Sequence, residues 1–371
     1  MQKLLVRAIV VLMAAATTVA LIRLSSGIPG VWGEEDRSEG RRPRCEAYGV
    51  FSFPVSDVSL DALAGLGVGW ARLQFRLGEI DSGNAVLVTQ VFDRGVGLWL
   101  TLYHRDRTNI SDTTGFDRSE RGAFPPVDPV RYRQLVKEPL VILVDHLRGC
   151  GKDPAAWLVV QCCNEVLPSD VAPPTPRRFW HGTSDEYLRT LRLTVEAVKS
   201  VDPGIPVAVG GIASEAMEVL VSSAPATGWL RTLLERWQTR MLAAGAFQWA
   251  DIHLYHEVES IPAKVQWVRT RWPGRLAATE IGGPDPATGA IYTEALHVRD
   301  LRLRMEAVRA AGIDRMFWTS LVETSSYPDP RFGPMALISI TGRRKPAFGE
   351  YRKIIDTECP PLAAARSGPG S

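Results

Sequence analysis

Trp157-Leu-Val-Val-Gln-Cys-Cys-Asn164-Glu165 runs apolar and then stops on a carboxylate. An apolar run of this length, bounded by polar residues, reads as a strand buried on both faces, which is the habit of parallel sheets. More than a hundred residues later, Leu276-Ala-Ala-Thr279-Glu280-Ile-Gly-Gly283 does the same. Each glutamate is therefore expected at the C-terminal end of a strand. In a (β/α)8 barrel that end is where active sites are built, and two facing carboxylates there suit cleavage of a glycosidic bond.

Outward from these two runs, short apolar segments alternate with amphipathic stretches of helical length. The strand candidates are Ala47 to Phe51, Trp70 to Phe75, Gly97 to Tyr103, Trp157 to Cys163, Pro206 to Gly210, Ala250 to Tyr255, Arg275 to Glu280 and Arg315 to Thr319. Helices are predicted at Ser56 to Leu66, Ala85 to Arg94, Pro129 to Arg148, Ser184 to Val201, Gly228 to Ala244, Pro262 to Arg271, Thr293 to Ala311 and Lys345 to Ile355. Ser184 followed by Glu186 opens one of them. Alternating strands and helices give a parallel sheet, either open or closed. Eight units, and no Gly-x-Gly-x-x-Gly turn after the first strand, favour the closed (β/α)8 TIM barrel as a single α/β domain over residues 46–356. Two long connections, 104–127 and 164–183, fall on the catalytic face, where long loops shape a cleft.

The chain has 371 residues, of which 45% are hydrophobic and 23% charged, enough to bury a full core. A net charge of +2 gives no case for nucleic acid as a partner. Residues 1–27 differ in kind: Lys3 and Arg7 precede an apolar stretch from Ala8 to Ile22, followed by Ser25, Ser26 and Gly27. This reads as an export signal, with Arg23 on the far side leaving an uncleaved anchor as the alternative. A membrane is a partner only in that second case. Residues 28–45 read as a flexible linker and 357–371 as a tail. Either way the rest of the chain is expected outside the cell or at its surface. Export permits disulfides, but five cysteines leave at least one thiol without a partner in the chain. Cys162 and Cys163, adjacent on a strand, read as buried small residues that do not pair with each other. Asn109-Ile-Ser111 has the form of a glycosylation sequon.

Glycoside cleavage needs one protonated carboxyl to serve the leaving oxygen and one ionised carboxyl to attack or to activate water. Glu165 and Glu280 supply both. Here the chain resembles the large clan of retaining (β/α)8 glycoside hydrolases, clan A, and in particular its β-xylosidase and α-L-iduronidase branch. The residues that carry the likeness are Asn164-Glu165, Thr279-Glu280-Ile281-Gly282, Arg72, His253-Leu-Tyr255, Trp318, and the run Phe179-Trp180-His181-Gly182-Thr183. The resemblance implies Glu165 as general acid/base, Glu280 as nucleophile, and Asn164 bonded to the sugar 2-hydroxyl. One departure stands out: relatives read Asn-Glu-Pro where this chain has Val166.

Arg72 is expected to hold Glu280 ionised, since a cation within ~4–6 Å lowers a carboxylate pKa. Tyr255 is expected to donate to Glu280. His104 and His253 are expected to bond sugar hydroxyls, and Trp180 and Trp318 to give flat apolar surfaces for a ring. His253 and His256 lie three apart on a strand, so they face opposite sides and are no metal pair. Neither a metal nor an organic cofactor is implied. The expected activity is retaining hydrolysis of an oligosaccharide, polysaccharide or glycoconjugate. The alternatives are glycosyl transfer to another sugar, or a barrel without turnover that binds carbohydrate or another surface partner.

Overall fold

The computed structural model describes residues 45–360 except 53–54, 79–81, 120, 173–177, 224–227, 256, 284–291 and 324–331. The expected export segment and linker, the tail beyond 360, and His256 lie outside the described residues. Eight parallel strands close into a barrel in chain order. They are β1 (Tyr48–Phe51), β2 (Trp70–Leu77), β3 (Gly97–His104), β4 (Leu158–Cys162), β5 (Val207–Ala208), β6 (Trp249–Leu254), β7 (Arg275–Ile281) and β8 (Arg315–Thr319). The sequence therefore places every strand correctly and overextends the fifth.

Around the strands run α1 (Asp57–Leu66), α2 (Ser82–Asp93), α3 (Pro129–Gly149), α4 (Ser184–Val201), α5 (Ser214–Val221), α6 (Gly228–Leu242), α7 (Ile261–Arg269), α8 (Glu294–Ala310) and α9 (Pro346–Glu358). The sequence reading has no counterpart of α5. That helix is eight residues long and its N-cap, Ala213, makes no side-chain cap bond, so it carries no start signal. The opening of α4 moves by one residue: Thr183 is the N-cap and exchanges bonds with Glu186, while Ser184 bonds Asp170.

The barrel interior is filled in layers. Trp70, Trp99, Val159, Ala208, Trp249, Ala277 and Phe317 form a core cluster of their own, separate from the one between strands and helices. Trp99 meets both Trp249 and Phe317 edge-on at 5.6 Å, although β3 adjoins neither β6 nor β8, so these rings cross the lumen. Gly49 permits this filling, because a Cβ there would lie 2.5 Å from the Phe317 ring. The guanidinium of Arg315 plugs the N-terminal end, 3.6 Å from the Trp70 ring centre and 4.5 Å from that of Trp249.

Cys45, before β1, is disulfide-bonded to Cys359, after α9, across 314 residues of chain. Cys162 and Cys163 are buried and unpaired with each other, as expected, and Cys150 is an exposed free thiol. Opening the Cys45–Cys359 bond with reductant, or by Cys45→Ser, is expected to lower unfolding free energy by about 2–5 kcal/mol, because the unfolded chain regains the entropy of a very long loop. Urea unfolding with and without reductant reads this directly. Asn109, the acceptor position of the sequon, is buried, its Nδ2 donating to the Asp128 carbonyl and its Oδ1 accepting from the Asp128 N–H. Its amide is thus committed inside the folded chain and offers a glycan no accessible nitrogen.

Candidate active site

Above the aromatic layer the interior turns polar. Thr101 donates to Gln161 Oε1 at 2.7 Å, Gln161 donates to Asp251 at 2.6 Å, and Thr279 donates to the same Asp251 oxygen at 2.6 Å. These four side chains come from β3, β4, β6 and β7, and all are fully buried. They stand directly beneath Arg72 and His253. Arg72 Nε donates to Thr101 at 3.1 Å, and His253 Nε2 lies 3.5 Å from Asp251. Such a network costs little only when its members are satisfied, and here it locks two cations in place.

Arg72 spreads its guanidinium across the mouth. Nη1 donates to Glu280 Oε1 at 2.6 Å, and Nη2 donates to Asn164 Oδ1. Tyr255 donates to the other Glu280 oxygen at 2.5 Å. His253 Nδ1 lies 2.8 Å from Glu165 Oε1 and 3.5 Å from Glu280 Oε2, so the imidazole sits between the two carboxylates. Glu165 and Glu280 each bring an oxygen within 4.8 Å of the other. Arg72 and His253 are wholly buried, whereas the Glu280 and Glu165 side chains keep 11% and 19% of their exposure. Both carboxyls therefore keep a path to solvent.

These surroundings separate the two acids. Burial alone would raise Glu280, but His253, Arg72 and the Tyr255 bond outweigh it and hold the carboxyl at about 2. Burial raises Glu165 above the ordinary carboxylate range, with the His253 bond pulling against it and Glu280 adding to it. Burial opposes the charged form of His253, but Glu280, Asp251 and Glu165 raise it to about 10. The surroundings thus drive the two carboxyls apart, Glu280 toward the ionised form and Glu165 toward the protonated one. Glu165, His253 and Glu280 also form a set of three metal-type ligands. Their chemistry suits proton transfer better: both Glu280 oxygens already accept hydrogen bonds, and an imidazolium is a donor, not a ligand.

Two local irregularities aim the carboxylates. Ile252 pairs with Ala278 and His253 pairs with Glu280, so Thr279 is an extra residue in β7. This bulge lets Thr279 and Glu280 both face the lumen, which strict alternation forbids. After β4, Cys163 takes φ 69°, a left-handed conformation that is uncommon away from glycine and redirects the chain just before Asn164-Glu165. Val166 then anchors the loop. Its N–H, which a proline would lack, donates to the Gly211 carbonyl at 3.3 Å, and its carbonyl accepts from Trp237 at 3.0 Å.

The structure brings Glu165, Glu280, Arg72, Asn164, His253 and Tyr255 together and sets three expected residues apart. Trp318 faces outward, stacked on His297 of α8 at 5.7 Å with its N–H on the Met335 carbonyl, because its neighbours Phe317 and Thr319 take the inward positions of β8. Trp180 is fully buried, donating to the Thr183 carbonyl and packed edge-on against Tyr187 of α4. It joins the two long connections through its pairing with Ala123 and offers no open face to a sugar. His104 points out of the barrel at Tyr132 of α3 and donates from Nδ1 to the Phe124 carbonyl at 2.8 Å. The inward residue at that strand end is Tyr103. Its buried hydroxyl has no hydrogen-bond partner among the described residues, and it lies in the electrostatic field of Arg72, Glu280 and Glu165. The missed residues Thr101, Tyr103, Gln161 and Asp251 share one legible signal: Thr101-x-Tyr103, Gln161, and Asp251 two before the expected His253 put polar side chains at period two inside otherwise apolar strands.

No protein-family model and no curated protein matches the chain. Among solved structures it is similar to GH5_18 from Streptomyces cattleya in complex with GlcNAc, with a TM-score of 0.59 and 13% identity over 88% of this chain and 82% of that one. It is also similar to an exo-β-1,4-mannosidase from Opitutaceae bacterium strain TAV5, with a TM-score of 0.55 and 17% identity over 84% of this chain. A family 39 glycoside hydrolase from Bacteroides cellulosilyticus WH2 gives 0.56 and 14% identity over 86% of this chain. The match spans 59% of the mannosidase and 65% of the family 39 protein. At such identities the likeness establishes a shared barrel.

Proposed function

We propose that this chain is an exported glycoside hydrolase that cleaves with retention by double displacement. The observation that carries the reading is the pair of carboxyls with oxygens within 4.8 Å, one held ionised by Arg72 and Tyr255, the other raised by burial. That separation suits direct attack, since retaining pairs stand ~5–5.5 Å apart and inverting pairs ~6.5–9.5 Å. Glu280 attacks the anomeric carbon while the bond to the leaving oxygen breaks and that oxygen takes the Glu165 proton. Glu165, now ionised, takes a proton from water, whose oxygen displaces Glu280 from the sugar. Asn164 gives its carbonyl oxygen to Arg72, which leaves its amide N–H groups for the sugar 2-hydroxyl. Export is supported by the Cys45–Cys359 disulfide, a bond characteristic of oxidising compartments, and by the N-terminal sequence pattern.

The names of the similar structures direct the choice of substrate. They include a mannosidase, β-glucosidases and a complex with Manβ1-4GlcNAc, so β-linked hexosides are the first panel for this chain. Incubation with 2-deoxy-2-fluoro glycosides carrying good leaving groups is expected to add one sugar mass to the intact protein. A protein that hydrolyses the parent glycosides with inverted product and takes no adduct would overturn the retaining mechanism. Product analysis with added acceptor sugars separates hydrolysis from glycosyl transfer.

Tyr103 borders this site from within the barrel, its buried hydroxyl in the field of Arg72 and both carboxyls. Burial holds its phenol well above its ordinary range, so it remains a proton donor at any working pH. Tyr103→Phe removes that hydroxyl and keeps the ring. Thermal stability should stay level or rise, because the hydroxyl has no partner among the described residues. A lower melting temperature with unchanged kcat/KM would make the hydroxyl structural.

A further inference from the structure

The structure assigns a second, non-catalytic site to the outer layer: we propose that Asp93, His146 and Cys150 bind one zinc ion where α2 and α3 both end. His146 and Cys150 are four residues apart, so they share one face of the helix end, with Cys150 as the C-cap of α3. Cys150 Sγ lies 3.8 Å from His146 Nε2, and Asp93 Oδ1, from the last residue of α2, lies 2.7 Å from the same nitrogen. One ligand atom from each residue falls within 4.8 Å of the other two. Tetrahedral zinc with ordinary bond lengths needs ligand separations of about 3.4–3.6 Å. The sulfur and nitrogen are nearly there, and the carboxylate must withdraw by about 0.7 Å as the metal replaces the proton it now shares with the imidazole.

The surroundings favour a cation that accepts soft ligands. Both helices present their C-terminal ends, where the helix dipole places partial negative charge. The ring of Phe92 stacks on His146 at 6.3 Å and orients the imidazole. One group opposes the metal: Lys152, whose ammonium donates to the Phe92 carbonyl and sits 4.2 Å from the centre of the Trp157 ring. The carboxylate and thiolate bring two negative charges against it. A thiolate, an imidazole and a single carboxylate select zinc over magnesium or calcium, which prefer oxygen alone. Asp93 and Cys150 are exposed and His146 is partly exposed, so the ion can enter and a water can complete the coordination. Among the described residues Cys150 is also the exposed thiol of the chain, the others being buried or in the disulfide.

The test uses the full chain, free of any affinity tag, with its disulfide intact and its thiol reduced. Zinc is titrated in competition with a chromophoric chelator, and cobalt(II) is used as a spectroscopic substitute. Wild type and Glu280→Ala are expected to take up one equivalent of zinc and to show a thiolate-to-cobalt charge-transfer band. Cys150→Ser and His146→Ala should lose that band or that equivalent, with affinity falling beyond the ~10–100-fold that loss of an outer partner costs. Absence of zinc uptake by wild type would overturn the site. Uptake that survives both substitutions but vanishes in Glu280→Ala would overturn it too, by placing the ion in the barrel mouth. The substitutions lie at the surface, and circular dichroism checks that each variant is folded.

Discussion

Glu280→Ala is expected to abolish hydrolysis, with a fall in kcat on the order of 10⁴-fold or more, as for other variants stripped of a catalytic nucleophile. The rate loss follows from geometry: no other carboxylate among the described residues shares this place between Arg72 and Tyr255. Stability falls as well. Arg72 is fully buried, and removing its charged partner leaves an uncompensated guanidinium, a change worth about 3–5 kcal/mol. Glu280→Gln is the companion variant, since it keeps the shape and one oxygen to accept from Arg72. Both are assayed by release from an aryl glycoside beside a thermal melt. A folded Glu280→Gln protein that turns over at the wild-type rate would remove Glu280 from the chemistry.

Glu165→Gln is expected to reshape the pH profile as well as lower the rate. Catalysis needs Glu280 ionised and the Glu165–His253 pair protonated. Glu280 sits at about 2, so its ionisation limits activity only in strong acid. Glu165 lies above its ordinary range, so kcat/KM in the wild type holds on the acid side and falls as pH rises through the loss of that proton. The descending limb should disappear in Glu165→Gln. Substrates whose leaving groups need a proton should lose ~10²–10⁴-fold, and those with good leaving groups should lose far less in the first step. Small anions such as azide should restore turnover by displacing Glu280 from the sugar in place of water, since they need no base, and give a glycosyl azide. An unaltered basic limb in the variant would transfer that titration to another group.

The same groups make stability depend on pH, with signs that follow from their shifts. Glu280 is depressed in the folded state, so its contribution is complete above the unfolded value near 4.5 and is lost as pH falls toward about 2. His253 is raised, so its contribution is complete below about 6.5 and is lost as pH rises through about 10. Both contributions are present together between these limits, at mildly acid pH.

Period and punctuation made the architecture legible. Parallel strands buried on both faces need unbroken apolar runs, and the helices between them need one apolar stripe, so eight alternating runs announce a closed barrel before any contact is known. Two carboxylates at strand ends are legible for the same reason. The side chain period of a strand also separates lumen from helix layer, and it distinguishes Tyr103 from His104 and Phe317 from Trp318 once one inward residue is known. The sequence offers no such reference, which is why His104 and Trp318 were expected in the mouth and lie outside it.

By itself, then, the amino-acid order determined the number of strands, their parallel closure, and the pairing of Asn164-Glu165 with Thr279-Glu280 at one end of the barrel. The tertiary structure decided what those carboxyls face. The extra residue in β7 turns Glu280 inward beside Thr279, and the left-handed Cys163 turns the chain that carries Glu165. Arg72, Tyr255 and His253 then converge on them from β2 and from the end of β6. Neither irregularity has a sequence signature, because each exists only relative to a neighbouring strand's register or to the packing around it. The difference in proton affinity between two identical side chains is a property of that convergence, since burial and nearby charge act through space.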